Sequence, residues 1–211
     1  MPCYLDDAEL TADAANVTTP ATLGAWLDAA RKRAGDAGRV VVEVRLNDAL
    51  IGHDQLDDQL EATVAPDDAL QLASADPAEL GVDALGQART QLAELGELQG
   101  QAADKLQADQ AGEALTLVGE AVQHWIQIAN AVTQVARLTG LDLDTLTLTT
   151  PQGDEPAAAI IAGLSGSLTE LRELIQAGDT TTLADALGYE WPGLIERWDA
   201  LLAAMSERLA A

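Results

Sequence analysis

The apolar residues of this chain change period at Asp76-Pro77, and that change limits the fold more than any other feature. Before it, the clearest run is Arg39–Leu46, in which Val40, Val42, Val44 and Leu46 alternate with Glu43 and Arg45. A period of two is that of a half-buried strand. After it, Leu80, Leu85, Ala88, Leu92, Leu95, Leu98, Ala102 and Leu106 recur at three and four, the period of an amphipathic helix. Asp76 suits an N-cap, Pro77 the first helical position and Glu79 the capping-box position. The chain is therefore read as two domains in an α+β arrangement, residues 1–76 and 77–211, with strands expected only before residue 77.

The first domain reads as mixed strand and helix. Cys3-Tyr4-Leu5 is a short strand, Asp6-Asp7 a turn, and residues 8–19 a weak return strand. Thr22 caps a helix over 23–34 with Leu23, Trp26, Leu27 and Ala30 on one face, and Gly35 and Gly38 stop it. The strand Arg39–Leu46 follows, then a turn at Asn47-Asp48, a short strand at Leu50-Ile51, a short helix over 53–60 and a last strand over 69–73.

The second domain reads as four helices. They span about 77–107, 110–138 and 155–176, each ended by a polar or glycine-containing break, and then 181–209, interrupted by Pro192. Residues 140–155 read as a loop or short extended stretch. Pro192 removes a backbone donor and crowds the carbonyl of Gly188, so a kink is expected there. Helices of this length joined by short loops suggest an up-down four-helix bundle with a Pro-kinked last helix. Glycines inside the helices, such as Gly81, Gly96 and Gly100, suggest close helix approach or a pliable bundle.

The chain carries 35 acidic and 11 basic residues, a formal charge of −24, two His, one Cys and no Phe. Such a charge repels phosphate and anionic lipid, which excludes nucleic acid and membrane surfaces as partners. The acids are spread through the chain. That pattern fits a salt-adapted or high-GC bacterial genome better than a dedicated acidic binding face, though both readings stand. The first ten residues lack the basic start of a signal peptide, and acids, Gln or Gly interrupt every apolar stretch before it could span a bilayer. A lone Cys3 forms no internal disulfide, so a reducing cytoplasm is expected.

Few residues offer chemistry. His124 lies four residues after Glu120, the spacing of a helix-surface pair. His53 sits at a turn before a short helix. Two distant His and one Cys make no zinc site of ordinary spacing. The acidic pairs Asp6-Asp7, Asp57-Asp58, Asp67-Asp68 and Asp142/Asp144 do not follow the calcium-loop pattern. No catalytic residue, metal ligand or cofactor site is assigned. Aromatics cluster instead at the last helix: Tyr189, Trp191, Leu194 and Trp198 either fill the core or line a partner-binding groove.

The element order of residues 1–76 resembles that of a β-grasp, ubiquitin-like domain. Modifiers and sulfur carriers of that class end in a free Gly-Gly tail. Here Ser74-Ala75-Asp76-Pro77 stands in that place and the chain continues, which disfavours conjugation. The strings Leu183–Pro192 and Leu194–Trp198 resemble uncharacterised bacterial helical-bundle proteins. Acidic, helical export chaperones are a further comparison. The expected function is a non-enzymatic cytoplasmic adaptor, scaffold or chaperone-like protein that binds a helical segment of a protein partner. The alternatives are a bundle with a core pocket for a small ligand or metal, and a structural homo-oligomer.

Overall fold

The computed structural model describes residues 2–15, 17–18, 21–150 and 153–211. The fold is mixed α+β and mostly helical. It divides into two compact units, Met1–Leu80 and Gly81–Ala211. Among the described residues, no helix is long and apolar enough to cross a membrane.

The first unit contains β1 (Cys3–Leu5), β2 (Ala8–Glu9), α1 (Ala12–Ala15), α2 (Leu23–Asp36), β3 (Val40–Leu46), β4 (Ala49–Leu50), α3 (His53–Gln59) and β5 (Leu70–Ala75). The strands form one sheet in the order β2-β1-β5-β3-β4. β1 runs parallel to β5, and every other pairing is antiparallel. Asp6 and Asp7 have φ of 50° and 64°, and Asn47 and Asp48 of 53° and 63°. Positive φ at both central residues defines the two-residue turn whose twist matches its flanking strands, and Asp and Asn tolerate it best after Gly. Each acidic or amide pair therefore closes a hairpin.

α2 begins where the Thr22 side chain accepts the Ala25 N–H at 3.3 Å. It buries Leu23, Trp26, Leu27, Ala30 and Ala34 in a core shared with Cys3, Leu5, Val44, Leu70 and Leu72. β3 departs from the simple alternation. A bulge between Val41 and Glu43 adds a residue opposite β5, so Val41 packs against the core and Val42 is 51% exposed. One extra residue reverses the facing of everything before it. The strand over 8–19 shortens to β2, followed by α1; Asn16 and Thr19 of that stretch lie outside the described residues.

Beyond residue 76 come α4 (Pro77–Gln107), α5 (Ala111–Thr139), β6 (Thr147–Thr150), β7 (Gly153–Pro156), α6 (Ala157–Ala177), α7 (Thr180–Asp185) and α8 (Trp191–Ala210). Ala186–Glu190 form a turn of π-helix between α7 and α8. Gly140 and Gly178, at φ of 69° and 67°, end α5 and α6 in the left-handed conformation.

The expectation that strands stop before residue 77 is wrong, because β6 and β7 form an antiparallel hairpin. Leu148 is buried in the helical core, which holds β6 down by one face. The β7 segment, Gly-Asp-Glu-Pro, has no apolar alternation from which to read a strand. Its pairing comes from the β6 backbone.

The helix glycines also differ from the tight-packing reading. A methyl group at Gly81 would meet Leu209 Cδ1 at 2.7 Å and one at Gly96 would meet Ile195 Cδ1 at 3.4 Å, but Gly86, Gly100, Gly112, Gly119, Gly163 and Gly166 face open space. In such positions glycine only raises the entropy lost on folding. Replacing Gly100, Gly119 or Gly163 by Ala should each stabilise the helical unit by ~0.5–1 kcal/mol. Thermal unfolding followed at 222 nm measures it, and a lower melting temperature would show that the site needs its glycine.

Candidate partner-binding site

The final helical arm is broken at Ala186–Glu190, where the Trp191 N–H donates to the carbonyl of Ala186, five residues back. Pro192 follows at the start of α8 and has no N–H to give to Gly188. The expected interruption is thus a wide π-turn that takes up one additional residue. Turns of this kind are frequent at functional sites.

Of the four aromatic-cluster residues, the structure brings three together in the core. Trp191 is 5% exposed, Leu194 4% and Trp198 0%. Tyr189 alone faces solvent, at 77%. Trp125 of α5, itself fully buried, lies between the two tryptophans. Its ring centroid is 6.1 Å from that of Trp191 and 5.5 Å from that of Trp198, both edge-on. Trp191, Leu194 and Trp198 therefore do not line an open groove; a partner could reach them only if the arm lifted. Arg89 clamps α8 to α4 through paired bonds of 2.7 and 3.0 Å to the Asp199 carboxylate.

The residue that sequence reasoning missed is Gln99. It is 2% exposed, and neither its amide nitrogen nor its amide oxygen has a partner. The side-chain contact that a methyl at Gly96 would make falls on Ile195, and the one at Gly188 falls on Ala103. α4 and the last arm run past each other between these two contacts, which sets Gln99 level with the π-turn and the start of α8. The indole N–H groups of Trp125 and Trp198 are likewise buried without acceptors. The signal was present in the sequence: the buried row of α4 reads Leu85, Ala88, Leu92, Leu95, Gln99, Ala102, Leu106, and Leu98 is only the flank of that row.

The remaining chemistry-bearing residues stay apart. The expected Glu120–His124 pair is not formed; His124 Nδ1 is buried without a partner. His53 opens α3, and only its backbone is described. Cys3 is 1% exposed, and burial pushes its thiol up to about 12, so it stays protonated near neutrality and is a poor nucleophile.

In three of the four acidic pairs one carboxylate, that of Asp6, Asp68 or Asp142, accepts a backbone N–H. Asp6 accepts from the Ser74 hydroxyl and from its N–H, with Arg39 at 3.8 Å. The Ser74 bonds, more than Arg39, hold its carboxyl below the ordinary range. Asp68 is lowered by Asn47 and the Ala65 N–H, which close a loop of the first unit. Among the described residues no group of three or more His, Cys, Asp or Glu is placed to hold a metal.

Comparison with family models, with curated proteins and with solved structures gives no significant match.

Proposed function

We propose that the chain is a non-enzymatic protein-binding adaptor or scaffold that takes up a helical segment of a client at the π-turn of its last arm. In this reading the first unit is a β-grasp domain and the second a four-helix up-down bundle whose last helix is broken. The sheet order and the parallel β1–β5 pair, with α2 packed on one face, support the first part. The two rows of core residues in α4 and α5 and their counterparts in α6 and α8 support the second. A cytoplasmic setting accords with the protonated, unlinked Cys3.

The observation that carries the functional reading is the contrast at the π-turn. Tyr189 stands exposed beside a tryptophan layer in which Gln99, Trp125 and Trp198 keep polar atoms buried and unbonded. Opening the arm would hydrate those atoms and so recover part of the cost of exposing the rings. A client helix with apolar residues at i, i+3 or i+4 and i+7 could then occupy the space left by α8. The ion pair Arg89–Asp199 is half exposed and adds little resistance.

A photo-crosslinking amino acid at position 189 of the full chain tests this. Tyr189 should give a discrete protein adduct in native lysate, and the exposed α4 position Gln107 should not. Equal labelling at both positions, or none at 189, would end the reading.

A further inference from the structure

The chain's acidity stops on one flank of the helical unit. Acids make up 35 of 211 residues, about one in six. Residues 121–141, which include most of α5, contain none, and neither do residues 156–169, the first half of α6. Arg137 is the one Asp, Glu, Lys or Arg in the two stretches. Depletion of charge is the compositional mark of an interface core.

These two stretches lie side by side. The Ala157 N–H donates to the Leu146 carbonyl at 2.9 Å, so α6 starts just past the end of α5 and returns along it. Ala129 of α5 meets Ile161, Leu164 and Leu168 of α6 around a cleft of about 350 Å³. A second cleft of about 350 Å³ lies further along α5, between Ala136 and the loop residues Leu141–Asp144. Ile126, on the same α5 row as Ala129 and Thr133, is 43% exposed. The face is free of acids along both stretches; its one charge there, the exposed Arg137, lines the second cleft beside Asp142 and Asp144, and the two ends differ. Arg172 stands at one end without an ion pair among the described residues. The exposed Asp142 and Asp144 stand at the other. Glu173 and Glu170 point about 100° and 160° away from Arg172 around α6, off the face.

We propose that this face pairs with a second copy of the chain about a two-fold axis. With that axis perpendicular to the helices the two faces run antiparallel, so each end meets the opposite end of its mate. Arg172 then faces Asp142 and Asp144 of the partner subunit, twice over, and the apolar rows close on each other between them. Two chains of charge −24 repel strongly. An acid-free face with opposite charges at its ends is the surface that lets them approach. The inference concerns different residues from the π-turn reading and stands or falls without it.

Sedimentation equilibrium of the full chain, at about 0.15 M KCl and over about 1–100 µM, decides the matter. The expected species has twice the 22.0 kDa chain mass. Ile126→Asp and Arg172→Glu, both at exposed positions, should each keep the wild-type melting curve and weaken association at least ~30-fold, the size of a hot-spot loss. Combining Arg172→Glu with Asp142→Arg and Asp144→Arg should restore the dimer. A wild type that is monomeric throughout, or a dimer indifferent to Ile126→Asp, would overturn the proposal. So would a charge-reversed triple variant that stays monomeric.

Discussion

Trp198→Ala should lower the stability of the helical unit by ~3–5 kcal/mol, the usual cost of truncating a fully buried tryptophan. Its ring is 0% exposed and packs edge-on to Trp125 at 5.5 Å, so the cavity would open in the middle of the layer. At this chain length the melting transition should fall by ~6–20 °C. Tyr189→Ala, at 77% exposure, should stay within ~0.5 kcal/mol of wild type. Far-UV circular dichroism in a denaturant series measures both. A loss below ~1 kcal/mol for Trp198→Ala would mean that the tryptophan is not core, and would return it to the set of surface residues that a partner could touch directly. The same pair of variants thus separates the two meanings of an aromatic cluster: packing and display.

That distinction could not be made from spacing. Trp191 and Trp198 are seven apart and share a face whether that face meets solvent or α5. What decides it is Trp125, 66 positions before Trp191 in the chain, whose partners in space no local pattern names. By contrast, the division of period at Asp76-Pro77 was legible because each side is governed by local geometry: alternation across a pleat and recurrence around a helix. The turns at Asp6-Asp7 and Asn47-Asp48 were legible for the same reason.

Features that depend on a second segment were not. The bulge that exposes Val42 exists because β5 pairs with β3 out of simple register. β7 is a strand only because β6 lies beside it. The π-turn was foreseen as a break, since Gly188 and Pro192 announce one, but whether a helix kinks or widens depends on what it packs against. The expected Glu120–His124 pair failed because i, i+4 spacing puts two side chains within reach without obliging them to meet.

Gln99→Leu tests whether the unbonded amide in the core is a defect retained for use. A buried amide without partners costs ~1–3 kcal/mol relative to a bonded one. Leucine has similar volume and no polar atoms, so the exchange adds little packing strain. Gln99→Leu should therefore stabilise the helical unit by ~1–3 kcal/mol, raising its melting transition by ~2–12 °C. If stability is unchanged or falls, the amide has a partner in solution and the tryptophan layer is a satisfied core. If stability rises, the wild-type residue is one that folding alone would not choose, since an apolar residue in the row from Leu85 to Leu106 does better. Natural chains often sit below their stability optimum without a functional reason, so the rise alone assigns no role. The second measurement is then amide exchange along residues 186–198. A Gln99 that eases opening of the arm should give exchange there that slows at least ~5-fold in Gln99→Leu, matching ~1 kcal/mol. Exchange in the first unit should not change. Slowing everywhere alike would reflect global stability, and would leave the π-turn with no opening of its own for a client to use.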